Sequence, residues 1–147
     1  MNREARHGRP APCRALRWLF VLYAAASLLH FAHNAEYIAQ YPNLPASWSR
    51  AQIYSAWCCV MTLGLSGYGL YALGFSNLGL TILGLYAGLG FGGLLHYTRA
   101  PLTHHSAMMN LTIWAEAVTG ALLLADVVMI SGPRRARPRD AAGRGGF

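Results

Sequence analysis

Histidine and glutamate are scarce in this chain and unevenly placed. Leu28 to Pro42 reads LLHFAHNAEYIAQYP, which sets His30, His33, Asn34 and Glu36 within three helical turns at the end of an otherwise apolar stretch. His96, the pair His104 and His105, and Glu116 follow in later apolar surroundings. Imidazole suits zinc, copper and iron, and carboxylates on neighbouring helices complete the shell of many bundle-core metal sites. In His30-x-x-His33 the two rings lie on adjacent turns, which suits one ion. The metal set this implies is His30, His33, His96 and Glu116, with Glu36 and His105 as outer candidates. A b-type haem is the variant in which His30 or His33 faces His96 from another helix across a slot. C-x-x-C-H is absent, which excludes covalent c-type attachment, and so is the metalloprotease pattern H-E-x-x-H.

Other chemistries have less support. Ser66 has no base at its level, and Leu65-Ser66-Gly67 only approaches the G-x-S-x-G pattern. Adjacent Cys58 and Cys59 diverge by about 100° on a helix, and Cys13 stands alone, so neither a C-x-x-C redox pair nor a zinc spacing exists. A cysteine in an apolar helix is an ordinary buried residue. His104 and His105 precede a helix at a level where a polar ring need do nothing. Whether the protein is an enzyme is left open.

The elements that must carry these groups are apolar helices. Of 147 residues, 54% are hydrophobic and 12% charged, too little charge for an ordinary small soluble domain. Four segments, 18–37, 51–73, 77–97 and 107–130, each approach the ~20 residues that cross a bilayer core. The expected fold is all-α, a polytopic membrane protein with a four-transmembrane-helix bundle over 18–130. Its connections are residues 38–50, with Pro42 and Pro45, a tight Gly74-Phe75-Ser76 turn, and residues 98–106, with Pro101.

Charge orients the bundle. All twelve basic residues are arginine, and only Arg50 and Arg99 lie between the two terminal groups. An even number of spans puts both termini on one side, and the arginine bias makes that side cytoplasmic. Residues 1–17 and 131–147 are then basic cytoplasmic tails, the second disordered for want of anything to bury. The net charge of +7 sits in these tails and not on a folded face, so nucleic acid is not the expected partner. The bilayer is, with some attraction to anionic headgroups and room for a homo-oligomer or a larger membrane complex. The localisation this implies is a multi-pass protein of a bacterial inner (plasma) membrane. A competing reading of residues 1–26 is a cleaved signal peptide, but apolar sequence continues through Leu28, Leu29 and Phe31 without a polar break, favouring an uncleaved first helix.

Helical rise then sets depth. His30, His33, His96 and Glu116 all fall in the outer half, and the inner half keeps only Asp126, within reach of a terminal arginine. On the last helix Met109, Thr112, Glu116 and Gly120 form an inward row, which gives Glu116 histidines as partners at its own level. Gly84, Gly88 and Gly92 at four-residue spacing predict a packing seam that carries His96 inward. Leu28-Leu29-His30-Phe31 and Leu94-Leu95-His96-Tyr97 echo one another faintly, a pattern that two related hairpins or chance would give. Function divides between a metal or haem centre, with a redox or metal-related role, and a non-catalytic accessory subunit or small-molecule binder whose polar cluster is structural. A proton relay from Glu116 through His30 and Glu36 lacks inward continuation.

Overall fold

A computed structural model describes residues 14–132 of the chain. The fold is all-helical among these residues, and four helices are long and apolar enough to cross a membrane: α1 (Arg14–Glu36), α2 (Arg50–Ala72), α3 (Ser76–Arg99) and α4 (Ala107–Ser131). The basic tails expected at 1–17 and 131–147 lie, apart from residues 14–17 and 131–132, outside the described residues. The helix already includes Arg14 where hydropathy alone suggests Trp18, because arginine is a good helix former and its long stem extends the apolar surface.

Local sequence accounts for the boundaries. Ser49 caps α2 in a capping box: its hydroxyl accepts from the Gln52 amide at 3.3 Å, and its own amide donates to Gln52 Oε1 at 2.8 Å. Ser106 starts α4 by accepting from the Met109 amide at 3.2 Å. At the C-terminus of α2, Gly74 adopts φ 97°, the Gly74 amide donates to Tyr71 O, and the Phe75 amide donates to Leu70 O. This is a Schellman closure, which requires a left-handed residue and finds glycine there.

The helices alternate in direction, so Arg14 and Ser131 share the end of the bundle that holds the Gly74 turn, and the two proline-bearing loops share the other. Helix α1 packs on α2 and α4, and α3 packs on the same two, which leaves α2 and α4 on the diagonal. Helix α2 is the most peripheral, burying only Ile53, Gly64, Gly67 and Tyr71. Its seam with α3 is a glycine and tyrosine interlock. Gly64 sits under the Tyr86 ring, where a Cβ would come within 2.7 Å of ring carbon Cζ, and Gly79 accepts the Tyr71 backbone. The core near the turn end is aromatic and aliphatic, built around Leu16, Phe20, Tyr23, Leu83, Tyr86 and Leu123. Tyr23, wholly buried, spends its hydroxyl on the Tyr86 carbonyl at 3.1 Å.

Helix α3 departs from the regular helix its glycine spacing predicts. From Gly90 to Leu95 it tightens into a 3-10 segment before returning to α geometry at His96–Arg99. The row Gly84, Gly88, Gly92 is not a seam, even over its regular α-helical part: Gly84 meets only Val127 and Leu124 at ordinary contact distance, and Gly88 and Gly92 face open space. Close approach passes instead to Gly90 and Gly93. A Cβ on Gly90 would come within 2.9 Å of Tyr23, and one on Gly93 within 3.2 Å of Glu116 Oε2 and 3.3 Å of His30 Nε2. Three glycines in four residues remove the side chains that would hold the wider turn, and the tighter winding changes which of them face inward.

Candidate functional site

Helices α1, α3 and α4 bring polar groups to a common level near the loop end. His30 of α1 and Glu116 of α4 are each 2% exposed, and Nε2 of the histidine lies 3.6 Å from Oε2 of the carboxylate. Asn34, one turn beyond His30, places its amide Nδ2 3.0 Å from His30 Nε2 and 3.4 Å from Nε2 of His96 on α3. The His30 and His96 rings meet edge to face, 5.6 Å between centroids. Gly93 makes this proximity sterically feasible, because any side chain there would occupy the space of the His30 and Glu116 heads.

Around this row stand further aromatic and imidazole groups. Tyr41, from the first loop, tilts over His96 with centroids 5.0 Å apart, and its hydroxyl lies 2.8 Å from His33 Nδ1. Burial of the Tyr41 phenol pushes its pKa up to about 12, against a smaller opposing effect of a hydrogen bond with Thr112. His105, in the second loop, is buried with its ring edge-on to His96 at 6.2 Å, and its Nδ1 lies 3.1 Å from Pro101 O. Asn110 holds that loop by donating to Leu102 O and His105 O while accepting from Tyr97.

The sequence-derived candidates therefore divide. His30, His96 and Glu116 converge, and His105 stands behind His96. His33 turns away toward Tyr37 and Tyr41, its ring 4.7 Å and 5.7 Å from theirs. Glu36 is not in the cluster: it is exposed, accepts from Arg50 Nε at 2.9 Å and from the Tyr54 hydroxyl at 2.8 Å, and also pairs with Arg50 through Nη2. Arg50 opens α2 just across the loop, so at the helix end its cation reaches Glu36 while the histidines point inward. Asn34 and Tyr41 complete the site although neither is a strong metal ligand type. Asn34 shares the His30 face at i+4, a readable signal, whereas Tyr41 arrives through the fold of a proline-bearing loop.

The bonding here is pairwise and incomplete. Among the described residues, no three His, Cys, Asp or Glu side chains are grouped so as to hold a metal ion. The Asn34 amide lies within hydrogen-bond reach of Nε2 of both His30 and His96, so these two histidines would hold a haem only if that amide moved aside. Several buried polar atoms keep unused capacity, namely Ser27 Oγ, His30 Nδ1, Asn34 Oδ1 and His105 Nε2. His30 Nε2 faces the Asn34 amide at 3.0 Å and the Glu116 carboxyl at 3.6 Å, so of the two only the amide lies within hydrogen-bond distance.

A cavity of about 250 Å³ opens beside this row, lined by Asn34 and His96 together with Trp48, Ile53, Gly92 and Arg99, among others. The first loop roofs it. Asn43, at φ 56°, donates its side-chain amide to Arg99 O at 2.8 Å, and Arg99 Nη1 reaches back toward Asn43 O at 3.4 Å. In the other direction the site is closed. Glu116 and Asp126 are ten residues apart on α4, about 15 Å of rise, and Tyr23, Phe20, Leu83 and Leu123 fill the interval without an ionisable carboxyl or imidazole. No protein-family model, curated protein or solved structure matches this chain.

Proposed function

We propose that this protein is an integral membrane protein of a bacterial inner membrane, with both termini cytoplasmic, that binds a small amphipathic molecule in the cleft at its loop end. The observation that carries the reading is the continuity of the cavity with the polar row: Asn34 and His96 line the cleft and connect it to the buried His30 and Glu116 pair. Ligand sites of this kind are concave, mostly apolar and furnished with a few convergent polar groups. Ionisable residues within spans are functional more often than not. The arginine bias supports the orientation, and the complete burial of Leu16 and Tyr23 supports retention of the first helix, since cleavage before Ser27 would strip both from the core.

A metal-centred role is the second reading, and one distance favours it. His30 Nε2 and Glu116 Oε2 lie 3.6 Å apart, so after a small approach these two atoms would hold zinc, copper or iron, with His96 as a further ligand once the Asn34 amide moved aside. One preparation separates the readings. The protein is purified in mild detergent, and its visible spectrum, metal content and native mass spectrum are recorded for wild type and His96→Ala. The expected result is a colourless, metal-free protein carrying a small organic adduct that the variant loses. A Soret band or stoichiometric metal would replace ligand binding with the metal-centred role.

A further inference from the structure

Of the four described arginines, Arg99 is the one at the cleft, and it has no carboxylate partner among the described residues. Arg50 at the same end is engaged by Glu36, and Arg14 and Arg17 belong to the opposite end. Arg99 is exposed, and its contacts are a long one to the Asn43 carbonyl and a shared place in the cavity wall. Deeper along the same helix, Gly92 faces the cavity with nothing within 4 Å of where a Cβ would stand, and Ile53 of α2, 2% exposed, forms the opposite wall. The cation stands at the rim, Ile53 lies about one turn in on α2, and Gly92 lies about two turns in on α3.

We infer that the cleft takes a single-chain amphiphile with an anionic head, a carboxylate or phosphate held by Arg99 at the rim, its hydrocarbon chain lying along Gly92 and Ile53. This assignment rests on the ligand-binding reading above and specifies its class. A guanidinium fork matches either oxyanion with two parallel hydrogen bonds, which an ammonium or a hydroxyl on the ligand cannot use. A volume of about 250 Å³ matches one short chain. His96 and Asn34 remain at the side of the chain, able to accept from or donate to a polar substituent on it.

The test uses the full-length protein in a neutral maltoside detergent and four probes of equal chain length: octanoate, octyl phosphate, octanol and octyltrimethylammonium. Saturable rise of the melting temperature is measured for wild type, Arg99→Gln and Gly92→Leu. The expected result is a saturable response to octanoate, octyl phosphate or both, with neither octanol nor the cation matching it. Arg99→Gln should weaken the anions about tenfold or more, the value of a charge-assisted hydrogen bond. Gly92→Leu, which grows into open space, should abolish the response. Equal response of wild type to octanol and octanoate, unchanged in Arg99→Gln, would overturn the anionic class and leave the cleft reading standing. Absence of any saturable response in wild type would overturn both, and that outcome needs neither variant to fold.

Discussion

His30 and Glu116 lie 3.6 Å apart with both side chains almost wholly buried, so removing His30 takes from the Glu116 carboxyl its imidazole neighbour, while His30 without Glu116 keeps the Asn34 amide. His30→Leu and Glu116→Leu should each destabilise by about 1–3 kcal/mol, and the double variant should lose less than the sum of the two. Thermal unfolding of the four-member cycle in detergent reads this coupling, and strict additivity would mean that the groups do not interact. Tyr41 gives a pH signature. Its folded pKa of about 12 lies above the ordinary 10.0, so its neutral phenol contributes stability that is intact below pH 10 and is lost as pH rises toward 12. Wild type should therefore lose stability relative to Tyr41→Phe across that alkaline interval, and parallel curves would show that the phenol titrates normally.

At the scale of the element, the decisive piece is the 3-10 segment Gly90–Leu95. Gly90→Ala should destabilise by about 1–3 kcal/mol, because its Cβ would press on Tyr23 and the Glu116 carbonyl, and both of those are fixed in the core. Gly88→Ala, open around the added carbon, should be neutral or stabilising by up to about 1 kcal/mol. Comparison of the two melting temperatures distinguishes a tight packing surface from a general intolerance of the helix to substitution. Much of this region is legible in the sequence and part of it is not. Four apolar segments and their limits to within a few residues follow from hydropathy, and the common level of His30, His96 and Glu116 from helical rise, whereas the glycine seam invoked to turn His96 inward does not form. The 3-10 winding is not legible, because a four-residue glycine row presumes 3.6 residues per turn, and nothing local announces a change to three. Glu36 escapes a sequence reading for a similar reason. Depth alone puts it with the histidines, while its actual partner, Arg50, lies across a loop whose path is a tertiary property.

For the whole molecule, the alternation of four helices and the grouping of arginines toward the chain ends make one strong topological expectation. Reporter domains active only on one side of the membrane, fused after Phe147 and inserted at Asn43, should report opposite sides, with the carboxyl terminus cytoplasmic. The same result at both positions would reverse or break the proposed threading. Large apolar residues such as Leu29, Leu85, Leu111 and Met129 are exposed around the bundle, as a lipid-facing surface requires, so extraction into water without detergent should precipitate the protein.

The aromatic and aliphatic fill between Glu116 and Asp126 has an electrical meaning. A proton that enters from the loop side and visits His30 or Glu116 must leave by the route it took, since no titratable carboxyl or imidazole continues the path through Phe20, Leu83 and Leu123. Such a group samples only part of the transmembrane field, of which a full crossing would be worth about 2.3 kcal/mol per 100 mV per charge. In the proposed orientation the bundle is a blind alley for charge: a proton held at His30 or Glu116 feels part of the field, yet the aromatic and aliphatic fill gives it no exit on the other side.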